Sequence, residues 1–214
     1  MIYSLDEGLE KIVDKKGWSG EIEKTEGDYL IWVDANLAAL KTDHALERHL
    51  KYNIEKDETG RWLASAEMVY VHTGDFDWRT SRYRSYARVF VPQGSELISV
   101  DGAMKWDRTK EPGVIDEGEE LGKKWFGTFI AIEPGQTKSL KFTYYLPERV
   151  KKDGLYTLFV QKQLGSFDHK LTLGLNFGTN IRTAKPSESR EEIGDDRYVY
   201  IGDLRIDRTF EVGF

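Results

Sequence analysis

A chain of 214 residues, 39% hydrophobic and 13% aromatic, is too apolar to be intrinsically disordered, and it is long enough to bury roughly 70% of its unfolded surface without a disulfide or metal. Its 31 basic and 37 acidic residues leave a net charge of −6, without the basic excess expected of a dedicated nucleic-acid binder. The absence of cysteine excludes cysteine nucleophiles, cysteine-ligated zinc and iron–sulfur centres, and it fits both the cytoplasm and an exported protein.

The chain opens on its clearest helical pattern. Ser4 and Glu7 have capping-box spacing, and Leu5, Leu9, Ile12 and Val13 recur with helical period. Lys15 and Lys16 suit the negative end of the helix dipole, and Gly17 suits a left-handed stop. A helix of about a dozen residues is marginal alone in water, so its apolar stripe must dock on this chain or on a neighbouring helical region. No run approaches the roughly 18 apolar residues of a spanning helix, and Met1–Glu10 lacks the basic-then-apolar order of a secretion signal. The sequence therefore reads as a soluble chain.

From Tyr29 onward the period becomes two. Leu50, Tyr52 and Ile54 alternate with polar neighbours, as do Leu140, Phe142, Tyr144 and Leu146, then Leu171, Leu173, Leu175 and Phe177, then Leu204, Ile206, Phe210 and Val212. Trp62–His72 and Leu155–Leu164 are apolar on both faces in part, as doubly covered strands are. Pro92–Ser95, Pro112–Gly113, Pro134–Gly135 and Asp153–Gly154 supply turns between runs. Nine to eleven short strands at this spacing predict a mainly β chain, an antiparallel β-sandwich of immunoglobulin-like or related type with a short N-terminal helix. Residues 1–28 form helix and linker, and residues 29–214 the sandwich. Asn36–Leu46 reads as a helical turn or a loop, and Trp106–Lys124 and Thr183–Asp196 read as long loops.

Chemical signatures are sparse. The 37 acidic residues nominate no particular glycosidase-type pair. No G-x-S-x-G elbow is present, and "GLNFG" has neither the spacing nor the lysine of a phosphate loop. His44 and His49 are five apart, sharing neither a helix face nor a strand face. Asp75 with Asp77, or Asp195 with Asp196, offer oxygen ligands but lack the calcium-loop signature and suit ordinary turns. No catalytic residue, metal site or cofactor is expected.

Binding residues are easier to nominate. Of six tryptophans, Trp32 and Trp62 lie within strand patterns and belong to the core. Trp78 in "GDFDWRTSRYR" and Trp106 in "AMKWDRTK" lie in polar loops and are candidates for sugar or peptide contact, or for plugging the end of the sandwich. Arg82, Arg84 and Arg88 share one strand face, as an anion patch or as a solvated face that deters edge pairing. Gln161, Lys162 and Gln163, on an otherwise apolar strand, suit hydrogen bonds to a neighbouring loop.

The segments "KKGWSGEI", "DYLIWVDANLAALKTD", "YRSYARVFVPQGSELIS", "FGTFIAIEPGQTKSLKFTYYLP", "YTLFVQKQLGS" and "YIGDLRIDRTFEV" follow in order. Together they resemble the C-terminal part of the bacterial DUF4012 family, from about Gly17 to Phe214. Ala38 and Ala39 depart from it, standing where glycine-like residues are expected. The resemblance implies a β-rich extracytoplasmic portion of a membrane-anchored envelope protein, with the N-terminal helix a remnant of a preceding helical region. The spanning helix would lie outside this chain, and the family's biochemical role is unassigned. The expected function is non-enzymatic: scaffolding, adhesion or recognition of an envelope polysaccharide or another surface protein, with no nucleic-acid partner. The alternative is an enzyme acting on cell-wall or exopolysaccharide glycans.

Overall fold

Alternating apolar residues become strands wherever one face can be buried, and here they become two stacked sheets. The computed structural model describes residues 4–188 and 194–214. One helix, α1 (Glu7–Lys15), precedes fourteen strands in the described residues. The first eight are β1 (Asp28–Asn36), β2 (Leu46–Lys56), β3 (Trp62–His72), β4 (Tyr83–Pro92), β5 (Glu96–Asp101), β6 (Asp116–Glu120), β7 (Lys123–Ile132) and β8 (Thr137–Tyr145). The remainder are β9 (Lys151–Lys152), β10 (Leu155–Gln161), β11 (His169–Asn176), β12 (Thr183–Lys185), β13 (Arg197–Leu204) and β14 (Arg208–Gly213). An eight-stranded sheet runs β12-β14-β10-β1-β4-β7-β6, with β9 hairpinned onto β10, and a six-stranded sheet runs β13-β11-β2-β3-β8-β5.

The sandwich is as the alternation predicts, but it is not wholly antiparallel. β1 pairs with β10 in parallel, and β11 pairs with β2 in parallel. Side-chain period is the same in either orientation, so periodicity cannot tell the two apart. Trp106–Lys124 also departs from a loop: β6 lies within it, pairing with β7 so that Glu119 and Glu120 stand opposite Lys124 and Lys123. Its sequence, "DEGEE", hides the strand because an edge strand buries little and its acidic side chains discourage further pairing. Within Thr183–Asp196, Thr183–Lys185 pairs with β14, and residues 189–193 lie outside the described set. Asn36–Leu46 contains a single 3-10 turn, Thr42–Ala45. Ahead of that turn, Ala38 and Leu40 have φ of 55° and 54°, a left-handed conformation that glycine adopts without strain. Ala38 thus stands where a glycine would be most at ease.

The helix begins later than its capping-box spacing predicts. Asp6, not Ser4, is the cap: its Oδ1 accepts from Leu9 N at 2.9 Å, while Ser4 N donates to Glu10 Oε2 at 2.7 Å. Val13 is buried, but Leu5, Leu9 and Ile12 are exposed. After the helix, the chain straps the outer face of the eight-stranded sheet. Ile22 covers an apolar cluster of Tyr29, Ile31 and Phe90. Gln161 fixes this strap, accepting from Glu23 N at 3.1 Å and donating to Glu21 O at 2.6 Å.

The main core lies between the sheets. Trp32 packs on Phe142 at 5.6 Å, and Phe126 on Tyr144 at 5.7 Å. Two buried carboxylates on β1 tie the layers together. Asp28 Oδ2 accepts from Tyr52 and Tyr156 hydroxyls at 2.6 and 2.5 Å. Asp34 accepts from Tyr70 at 2.7 Å, from Ser85 at 2.8 Å and from Arg48 Nε at 3.2 Å. Tyr52, Tyr70 and Arg48 reach across from the six-stranded sheet, so two polar junctions fix how one sheet sits on the other.

Candidate functional site

The end of the sandwich near Asp34 is built from loops that are tightly pinned yet present large aromatic side chains to water. Arg48 Nη2 donates to Asp43 at 2.7 Å and to the Tyr83 hydroxyl at 2.9 Å, anchoring the β1–β2 loop on the buried Asp34 junction. That loop is zipped to the β3–β4 loop by Lys41 N to Arg79 O at 2.9 Å and Ser81 N to Thr42 Oγ1 at 2.9 Å. Inside the β3–β4 loop, Asp77 Oδ1 accepts from Arg79 N at 2.7 Å and from Thr80 N at 2.5 Å. These backbone donors hold the Asp77 carboxyl below its ordinary value. Asp77 is therefore a turn-former, as aspartate in such loops commonly is, and Asp195 likewise accepts from Arg197 N at 2.9 Å. Among the described residues no cluster of three histidines or carboxylates could hold a metal ion.

Trp78 is 86% exposed and Trp106 55%, while Trp32 and Trp62 are buried. Phe76, 61% exposed on the same loop as Trp78, joins them; "GDFDW" carries it two residues before Trp78, and an aromatic so placed among aspartates is the signal that reveals it. Arg79 lies 5.9 Å from the Trp78 ring, and Lys105 lies 4.6 Å from the Trp106 ring.

Arg84 and Arg88 project from one face of β4, outward from the eight-stranded sheet, and Arg82 precedes the strand by one residue; each of the three meets a carboxylate. Arg82 Nη1 and Arg84 Nε converge on Asp107 Oδ2 at 2.9 and 2.7 Å. Arg82 Nε and Arg108 Nε converge on Glu133 Oε1 at 2.5 and 3.0 Å. Partial burial opposes ionisation of Glu133, but hydrogen bonds from Arg82 and Arg108 outweigh it and hold that carboxyl below its ordinary value. This network fixes the loop that carries Trp106. Arg88 stands apart, 3.2 Å from Glu120 and over the Phe90 and Trp125 rings at 5.4 and 5.5 Å. Two of the nominated arginines thus support a nominated tryptophan, and the third does not join them.

The polar run after β10 positions rather than reacts. Gln163 accepts from Asp34 N and donates to Asp34 O, both at 2.9 Å, continuing the ladder with β1 by its side chain. Lys162 Nζ donates to Ser166 O at 2.5 Å. His44 contacts Arg79 at 3.0 Å, and His49 contacts Thr172 at 2.8 Å.

A concavity of about 660 Å³ lies on the outer face of the six-stranded sheet, lined by residues such as Asn53, Ser65, Thr143, Gly174 and Val199.

Neither a family model nor a curated protein matches this chain. Solved structures similar to it include a Legionella pneumophila protein provisionally described as nutrient-binding, with 9% identity, TM-score 0.49, and coverage of 87% of this chain and 70% of that one. Leukotriene A4 hydrolase from Saccharomyces cerevisiae is similar at 9% identity and TM-score 0.43, over 79% of this chain and 29% of the yeast enzyme. A mutant two-domain M1 zinc metallopeptidase bound to L-tryptophan is similar at 10% identity and TM-score 0.35, over 79% of this chain and 43% of that one. Likenesses of this size carry no argument about activity. The fold and loops define a mainly β sandwich with an aromatic-tipped end.

Proposed function

We propose that this chain is a non-enzymatic recognition domain of a membrane-anchored bacterial envelope protein, lying outside the membrane and binding an envelope polymer or a surface protein. The resemblance to the DUF4012 family supplies the setting. The observation that carries recognition is the pinned loop end, where Phe76, Trp78 and Trp106 stand in water on loops fixed by the Asp34–Arg48–Asp43 and Arg82–Asp107–Glu133 networks. Exposed aromatics on a fixed frame lose little conformational freedom when they meet a partner, which is how a few residues come to dominate a binding surface. No helix of the described residues is long and apolar enough to cross a membrane, so the anchor in this reading lies outside the chain.

Cosedimentation with isolated bacterial cell-wall and capsular polymers tests the proposal. The domain should sediment with at least one fraction, and the Trp78→Ala, Trp106→Ala double variant should lose about tenfold or more in affinity, as hot-spot truncations do. Equal binding by the variant would remove the loop end from the reading. Turnover of a glycan substrate that vanishes on replacing one Asp or Glu would establish the enzymatic alternative instead.

A further inference from the structure

Registers across the six-stranded sheet place one residue from every strand in a single row: Val199, Gly174, Asn53, Ser65, Thr143 and Ser99. The row runs perpendicular to the strands, from β13 to β5. Five strand spacings make it about 24 Å long. Apart from Val199 its members are small or polar, so the row is a trough with one apolar end, and five of the six line the concavity of about 660 Å³. Gly174 sets its depth: a Cβ there would come within 2.6 Å of Asn53 Oδ1, so the Asn53 amide lies across the space a side chain would fill. Among the described residues, the side chains of Asn53, Ser65 and Thr143 have no hydrogen-bond partner in the protein, leaving their donors and acceptors to whatever occupies the trough.

The walls carry charge, but the charge is spent within them. The next row on one side holds Lys51, Glu67, Lys141 and Asp101 in alternation, with Lys51–Glu67 and Lys141–Asp101 ion pairs both at 3.3 Å. On the other side Arg61 pairs with Glu96 at 2.6 Å and covers the Tyr145 ring at 3.7 Å. The other charges lining the concavity are Glu55 and Arg197, one of each sign. A polyanion or polycation would find no net charge to match it. An extended peptide would seek free backbone groups at a sheet edge, whereas this row crosses four interior strands whose backbones are paired on both sides.

We infer that this trough binds an uncharged polysaccharide chain laid across the strands, its hydroxyls meeting Asn53, Ser65 and Thr143 and its carbon faces resting on Val199 and Leu63. The inference rests on the recognition reading above and gives it a ligand class and a second surface.

Native gel electrophoresis through matrices containing dextran, mannan, galactan or polygalacturonate tests it. At least one of the three neutral polymers should retard the domain. The retardation should change less than twofold between about 0.05 and 0.5 M NaCl, since no ion pairs are screened. Gly174→Val should weaken it at least tenfold while thermal unfolding is unchanged. Should that variant fail to fold, the Asn53→Ala, Thr143→Ala pair, both on the water-facing side, should weaken retardation several-fold in its place. No retardation by any neutral polymer, or retention confined to polygalacturonate and lost in salt, would overturn the inference. If Trp78→Ala, Trp106→Ala abolishes binding to envelope material and Gly174→Val leaves it intact, the trough falls and the recognition reading stands. If the domain binds no envelope material at all, both fall.

Discussion

Asp28 lies wholly out of water, and removal from water raises its pKa to about 6 against the hydrogen bonds from Tyr156, Tyr52 and Tyr29 N and the charge of Lys123. His169 is the counterpart among bases. Both of its ring nitrogens are buried without a partner among the described residues, and burial, with the charges of Arg48 and Lys162, lowers its pKa to about 3. The two act on stability with opposite sign. The folded Asp28 binds a proton more tightly than the unfolded chain, so its contribution is complete below pH 3.8 and is lost as pH rises through about 6, a change of about 3 kcal/mol. The folded His169 refuses a proton that the unfolded chain accepts, so stability falls as pH drops below 6.5, by about 2 kcal/mol at pH 5. Urea unfolding from pH 4 to 7 should therefore show a shallow profile in the native protein. Asp28→Asn should expose the decline toward acid, and His169→Leu should expose the opposite slope without weakening the protein at pH 7, because it removes a buried polar ring that nothing satisfies. Parallel profiles for both variants would contradict these assignments.

The helix and strands differ in how firmly they hold. Leu9 and Ile12 are half-exposed on α1, whereas Phe142 and Leu173 are fully enclosed between the sheets. Replacing Leu9 and Ile12 with serine should cost under about 1 kcal/mol each, and Phe142→Ala or Leu173→Ala about 2–5 kcal/mol, measured by denaturant midpoint. Equal losses would make α1 integral to the sandwich. Legibility in the sequence follows the same division. The strands of Leu50–Ile54, Leu140–Leu146 and Leu171–Phe177 were plain because burial on one face imposes alternation. The edge strand Asp116–Glu120 was not, since its side chains meet water on both faces and only its backbone records the pairing. Exposure of Trp78 and Trp106 was legible from their polar neighbours. The trough was not, because its six residues come from six strands and only register brings them into line.

At the scale of the whole molecule, the sequence discloses two layers but not the order in which strands lie within them. Residues 28–145 supply one group, with β1, β4, β7 and β6 in one layer and β2, β3, β8 and β5 in the other. Residues from 155 onward add to both layers at once, β10 beside β1 and β11 beside β2. A chain ending at Val150 would leave β1 and β2 as bare edges, with Leu30 and Tyr52 deprived of neighbours, and should show neither a cooperative thermal transition nor resistance to aggregation. A sharp transition in that fragment would show the first group to be self-sufficient. The two parallel junctions also set a clock on synthesis. Leu50 must wait for Leu171 and Leu30 for Val160, an interval of more than a hundred residues. At bacterial or eukaryotic elongation rates of about 5–20 residues per second, this leaves both edges open for roughly 6–26 s on the ribosome. During that interval the nascent chain is a natural client for chaperones that shield unpaired strands.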